Sequence, residues 1–116
     1  FKNAGRKFLA RSYARKALNF QPSMGRAYLM ISNIYAASAN DCGETQFNKR
    51  AVYWLAAQMA YKAGEVDTSI KKLALKTARS YEGRAPSKTE IFTEGNQGAT
   101  IKLDCWIKSS VKVPEL

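Results

Sequence analysis

Two short stretches carry the same spacing of side chains, and that repetition limits the folds open to this chain more than any other feature. In "YLMISNIY" the pattern is Tyr28, Ile31, Ser32 and Tyr35; in "ALKTARSY" it is Ala74, Thr77, Ala78 and Tyr81. A stripe of small residues precedes each copy, Ala10, Ala14 and Ala17 before the first and Ala56, Ala60 and Ala63 before the second. Residues three and four apart share one face of a helix, so both patterns describe helices. Small residues let a partner helix come close, and aromatics on the next helix fill the remaining space. The order predicts four packed helices over 5–20, 24–38, 46–63 and 68–81. Ser23 and Asp67 are the expected N-caps of the second and fourth, because their side-chain oxygens can accept free N–H groups of a first turn.

Composition narrows the chemistry. Of the 116 residues, 46 % are hydrophobic, enough for a packed core rather than a disordered chain. No apolar run is long enough to cross a bilayer. The first residue is Phe1, and "FKNAGRKFLARSY" lacks the uninterrupted apolar stretch of a signal peptide, so the expectation is a processed or excised piece. There is no histidine. That removes Ser-His and Cys-His pairs and the histidine zinc sites. Phosphate-cradling glycine loops are absent too, so the expectation is no enzyme, no cofactor and no metal. Net charge is +10, and seven basic residues fall between Lys2 and Arg26 with no acid among them: Lys2, Arg6, Lys7, Arg11, Arg15, Lys16 and Arg26. Such a stripe is either a solvated helix face or a footprint for nucleic acid or another anionic surface. No RNA-binding module accompanies it, which sets nucleic acid behind a protein partner.

After Gly83 the helical pattern stops. Ser87 and Glu90 have the spacing of a capping box before one short helical turn. Ile101, Leu103, Cys105 and Ile107 then alternate with Lys102, Asp104, Trp106 and Lys108, which predicts a half-buried strand. Residues 111–113 are expected to pair with it, and so small a ribbon must lie on the helices.

These patterns carry a resemblance. "YLMISNIY", with Tyr and Ser at the Trp and Gly positions, resembles the first helix of the tetratricopeptide repeat. "GRKFLARSYARKALNFQP", through Gly5, Ala10, Ala14, Ala17, Leu18 and Pro22, resembles its second helix and closing proline; in the next copy Thr68 stands at the proline position. The resemblance spans residues 5–83. With the "CG" loop, "AVYWLA" and "DCWI", the chain is also similar to the C-terminal part of exported bacterial tetratricopeptide proteins. It implies an all-α fold, antiparallel helix pairs stacked as a short right-handed solenoid, with a small C-terminal β-hairpin-like extension. The organisation is a helical segment 1–84, made of a half repeat 1–22, a full repeat 23–68 and a capping helix 69–83, then an extension 85–116. Lys71, Lys72, Lys76 and Arg79 give the capping helix its polar outer face. Tyr35 and Tyr81 lie 46 residues apart against a repeat length of about 34. The surplus makes residues 39–47 an inserted loop projecting from the stack.

The resemblance also implies a function: a non-catalytic protein-interaction scaffold, part of a larger repeat protein, periplasmic or associated with the cell envelope. Its concave face would hold a peptide or protein segment through Arg26, Leu29, Asn33, Ala36, Lys72, Leu75, Lys76 and Arg79. Asn33 with Lys72 and Lys76 is similar to part of the clamp that some family members close on a peptide carboxylate. The alternative is a binder of nucleic acid or another anionic surface through the basic helix faces. An edge without its preceding helix should expose apolar side chains, Phe8 among them, and self-associate. Cys42 and Cys105 both lie outside the expected helices. They either form a disulfide that holds the tail down, which would agree with an oxidising compartment, or are two free thiols with Cys105 packed as a small hydrophobe.

Overall fold

The computed structural model describes residues 2–43, 45–103 and 105–115. Five helices follow one another: α1 (Lys2–Phe20), α2 (Gly25–Ala37), α3 (Gln46–Val66), α4 (Lys71–Arg84) and α5 (Lys88–Glu94). A two-stranded antiparallel sheet of β1 (Thr100–Leu103) and β2 (Ser109–Lys112) closes the chain, with Ile101 opposite Val111 and Leu103 opposite Ser109. The chain is mostly helical, and α1 packs on α2, α2 on α3 and α3 on α4. No described helix is long and apolar enough to cross a membrane.

The small-residue stripes do what their spacing requires. Ala56, Ala60 and Ala63 of α3 have no exposed surface, nor do Ala74 and Ala78 of α4; Ala60, Ala63, Ala74 and Ala78 form a core of their own with Leu29, Ala57 and Ile70, while Ala56 belongs to the larger core. A methyl group on Gly64 would lie only 3.3 Å from the Ala74 Cβ, so α3 and α4 sit nearly backbone to backbone. Ser32 is fully buried and donates its hydroxyl to the Ala56 carbonyl, the small position at which α2 crosses α3. A larger core gathers Ile31, Tyr35, Val52, Trp54, Leu55, Leu103, Ile107 and Val113, and so joins the helices to the tail.

Local chemistry sets most helix ends. Thr45 caps α3, accepting from Asn48 N at 3.1 Å. Ser87 and Glu90 form a full capping box on α5, which runs for seven residues and ends at Gly95 in the left-handed region, φ 65°. Asp67 accepts from Ser69 N, but in a 3-10 turn, Thr68–Ile70, that precedes α4. Ser23 does not cap α2. The N-cap position is Met24, with no side-chain bond. Packing sets this helix start instead: a Cβ on Gly25 would lie 2.6 Å from Asp67 Cβ and 2.7 Å from both the Ala63 carbonyl oxygen and Ile70 Cδ1.

Two further expectations need correction. Residues 39–43 and 45–47 do not project as a loop, and Glu44 lies outside the described residues. Ala39–Asp41 is a 3-10 turn, and Ala39, Cys42 and Phe47 are buried in the larger core. The strand expected through Ile107 stops at Leu103, and residues 105–107 form a turn, followed by Lys108 at φ 46°. Asp104, assigned to its polar face, lies outside the described residues. Cys105 is bonded to Cys42, with Cα atoms 5.1 Å apart, and Trp106 points inward rather than to solvent, its indole N–H donating to Ser38 Oγ at 2.9 Å. Those two attachments bend the backbone out of the extended form while apolar side chains continue to face the core.

Arg11 joins the same place from the other side. It is 5 % exposed, in the middle of the supposed basic stripe. Its guanidinium donates to the Ile107 carbonyl at 2.7 Å and to the Tyr35 hydroxyl at 3.2 Å. It also lies over the rings of Trp106 at 5.0 Å, Phe8 at 5.4 Å and Tyr35 at 5.9 Å. Aromatic faces and a carbonyl thus stand in for a carboxylate. The stripe is therefore not one continuous solvated face.

Arg50 plays a comparable part at the α4–α5 corner. It donates to the Arg84 and Ala85 carbonyls and to both Glu90 oxygens, at 2.6–3.1 Å. That bond, with the Ser87 amide, holds the Glu90 carboxyl below its usual range. A depressed carboxylate pKa contributes stability above the unfolded value, about 4.3, and loses it as pH falls through the folded value. Acid unfolding followed by circular dichroism should therefore begin at lower pH in R50M than in the parent, relative to each protein's neutral stability. Replacing both cysteines by serine opens a covalent loop with a sequence separation of 63. The expected loss is about 4 kcal/mol, read from urea unfolding.

Candidate functional site

An opening built from helices runs between α2 and α4, which lie side by side across α3. Arg26 and Leu29, early in α2, stand near Ile70, in the turn before α4, and Leu73, early in α4; Asn33, later in α2, stands near Tyr81, late in α4. The two helices therefore run in the same direction. Between them lie two adjoining hollows of about 350 and 360 Å³ that share Asn33 and Leu73 as their common wall.

The first hollow is floored by Leu29, Ile34 and Ile70, with Met30 and Leu73 at its lip and Arg26 at its end. Met30 is 49 % exposed and Leu73 54 %, an unusual outlay of apolar surface for two residues that face the same gap. The second hollow is more polar, lined by Lys76, Thr77, Ser80, Tyr81 and Arg84. Among the described residues no carboxylate lines either one. The cations Arg26, Lys76 and Arg84 are exposed, and Arg26 also interacts with the Asp67 carboxylate behind the start of α2.

Asn33 is held at the junction. Its Oδ1 accepts from the Tyr81 hydroxyl at 2.6 Å, and the Tyr81 ring stacks on Tyr53 of α3 at 6.0 Å. Burial pushes the Tyr81 phenol up from its usual value, against the opposite pull of Arg84, which keeps it a proton donor at neutral pH. With Oδ1 engaged, the Asn33 amide N–H₂ is the group left to offer a hydrogen bond into the groove.

Of the residues assigned from sequence, Arg26, Leu29, Asn33 and Lys76 line this groove. Ala36 packs against the larger core instead. Lys72, Leu75 and Arg79 do not line it. The buried Ala74 and Ala78 fix how α4 is rotated on α3, and that rotation carries 73, 77, 80 and 84 toward α2 and 72, 75 and 79 away. Asn33, Lys72 and Lys76 are accordingly not brought together as one clamp. Sequence reasoning missed Met30, Leu73, Tyr81 and Arg84. Leu73 carried a usable signal, being an apolar residue at a position the α3-facing alanines leave outside the core.

No family model, curated protein or solved structure matches the chain.

Removing either side of the Asn33–Tyr81 bond should show the groove wall as one unit. N33A and Y81F are each expected to cost about 1 kcal/mol in urea unfolding. The double variant should cost less than their sum by about 0.5 kcal/mol.

Proposed function

We propose that this chain is a non-catalytic scaffold, a short tetratricopeptide-like helical repeat that holds an acidic peptide or protein segment in the α2/α4 groove. One observation carries the reading: an apolar floor and lip, Leu29, Met30, Ile70 and Leu73, bordered by Arg26, Lys76 and Arg84, with no carboxylate among the described residues that line it. Apolar side chains of a bound segment would supply most of the affinity, and its acidic groups the orientation and encounter rate. The parallel course of α2 and α4 across α3, and the small-residue contacts behind them, support the repeat assignment. The Cys42–Cys105 bond supports an oxidising setting such as the periplasm or cell envelope.

The experiment is fluorescence anisotropy with a dye-labelled peptide rich in Glu and containing two leucines, compared with its Lys-for-Glu counterpart and with generic duplex DNA. The acidic peptide should bind, more weakly as salt rises, and L73E and R26E should each reduce its affinity about tenfold or more. Equal binding of the basic peptide, or binding unaffected by L73E, would remove the groove assignment. Tight DNA binding that also survives L73E would instead favour the anionic-surface alternative.

A further inference from the structure

We propose that α1 is a self-pairing helix, through which two copies of this chain dock antiparallel about a two-fold axis. The contact residues are Leu9, Tyr13, Lys16 and Phe20, which follow one another at steps of four, three and four and so fall in a single file along the outer side of α1. Leu9 is 54 % exposed, Tyr13 66 % and Phe20 92 %, so the file has no cover within its own chain.

The file is complementary to itself in one orientation only. Its steps read the same backwards, so in an antiparallel pair Leu9 meets Phe20 of the second copy while Tyr13 meets Lys16. Apolar then faces apolar, and ammonium faces ring. Within one chain the Lys16 Nζ already lies 5.6 Å from the Tyr13 ring centroid, and pairing adds a second ring to the same cation. A parallel pair would set Lys16 against Lys16. Between Leu9 and Phe20 the positions flanking the file are small or uncharged, Ser12 and Asn19 on one side and Ala10 and Ala17 on the other, while Arg6 lies beyond Leu9, outside the span that the two copies share. They permit a close interaxial approach and oppose no like charges.

Other occupants fit less well. An interfacial membrane helix needs a broad apolar face, and this file is one residue wide. An acidic helix would satisfy Lys16 and Arg6 but leave the internal symmetry of the file without a cause. The paired surface is small, about 150–250 Å² for each aromatic ring, so the dimer is weak. Each copy also carries a net charge of +10, which opposes association and is screened by salt. Pairing therefore strengthens as salt rises, whereas capture of an acidic helix would weaken.

Sedimentation equilibrium of the intact, disulfide-bonded chain at about 0.05 and about 0.5 M salt tests this. The expected result is a monomer–dimer equilibrium that shifts toward dimer at the higher salt and is lost in L9E and F20E with unchanged circular dichroism. Orientation is read with a short bismaleimide: an L9C chain mixed with an F20C chain should cross-link, while L9C alone should not, because eleven residues of helix, about 16 Å, separate the two positions. A strict monomer at millimolar concentration and both salts would overturn the proposal. So would L9C cross-linking to itself, or a dimer indifferent to L9E and F20E.

Discussion

Backbone contact along α3 is the constraint on which the other features depend. Ala56, Ala60, Ala63 and Gly64 give this helix a side with almost no side-chain bulk, so α2 and α4 both approach it closely and are brought parallel to one another. The groove follows from that arrangement. Where the alanines of α4 meet α3, the helix cannot rotate, and its remaining faces are assigned: Leu73 and Lys76 toward α2, Leu75 and Arg79 elsewhere. A single added methylene at Ala60 or Ala74 would separate the helices before it changed any residue of the groove.

The tail is attached by different means. A four-residue hairpin has little hydrophobic surface with which to hold itself, and here three unlike interactions converge on residues 105–107. The disulfide fixes Cys105 to the segment after α2, the Trp106 indole bonds Ser38 at the end of α2, and the Ile107 carbonyl receives Arg11 from α1. Arg11 lies where a buried charge is normally costly, and its surroundings offset that cost with two acceptors and three ring faces. The interaction is geometric as much as electrostatic, since a planar guanidinium fits between rings as an ammonium would not. Arg11 thus links the first helix to the last turn of the chain.

The first four helices and their order were legible from sequence because they rest on periodicity; the capping box was legible because it rests on local hydrogen bonding, although the single turn expected after it is a fifth helix of seven residues. Phe8 was read as exposed, and about half its surface is, yet it stacks beside Arg11 while the open file of α1 runs through Leu9, Tyr13 and Phe20. What sequence could not supply was tertiary. Alternation from Ile101 to Ile107 marks Leu103 and Ile107 correctly as facing inward but sends Trp106 to solvent; a turn and a strand can both present such alternation, and only the attachments of Cys105 and Trp106 decide between them. Arg11 gave no sign of burial, since a basic residue among basic residues looks like solvent-facing surface. Of the eight residues assigned from sequence, Arg26, Leu29 and Asn33 on α2 and Lys76 on α4 line the groove. Lys72, Leu75 and Arg79 fall outside it because the seating of Ala74 and Ala78 on α3 turns them away from α2.

The bond between Cys42 and Cys105 also divides the molecule mechanically. Residues 42–105 form a covalent ring that contains α3, α4, α5 and β1, while α1 and α2 stand outside it. Tension applied to the two chain ends travels through the bridge and bypasses the ring. Only the segments before Cys42 and after Cys105 can be drawn out, and roughly 200 Å of contour length stays locked away. Under pulling, the wall of the groove contributed by α2 is lost while the α3–α4 pair remains folded, so a segment held there would be released before the chain gave way.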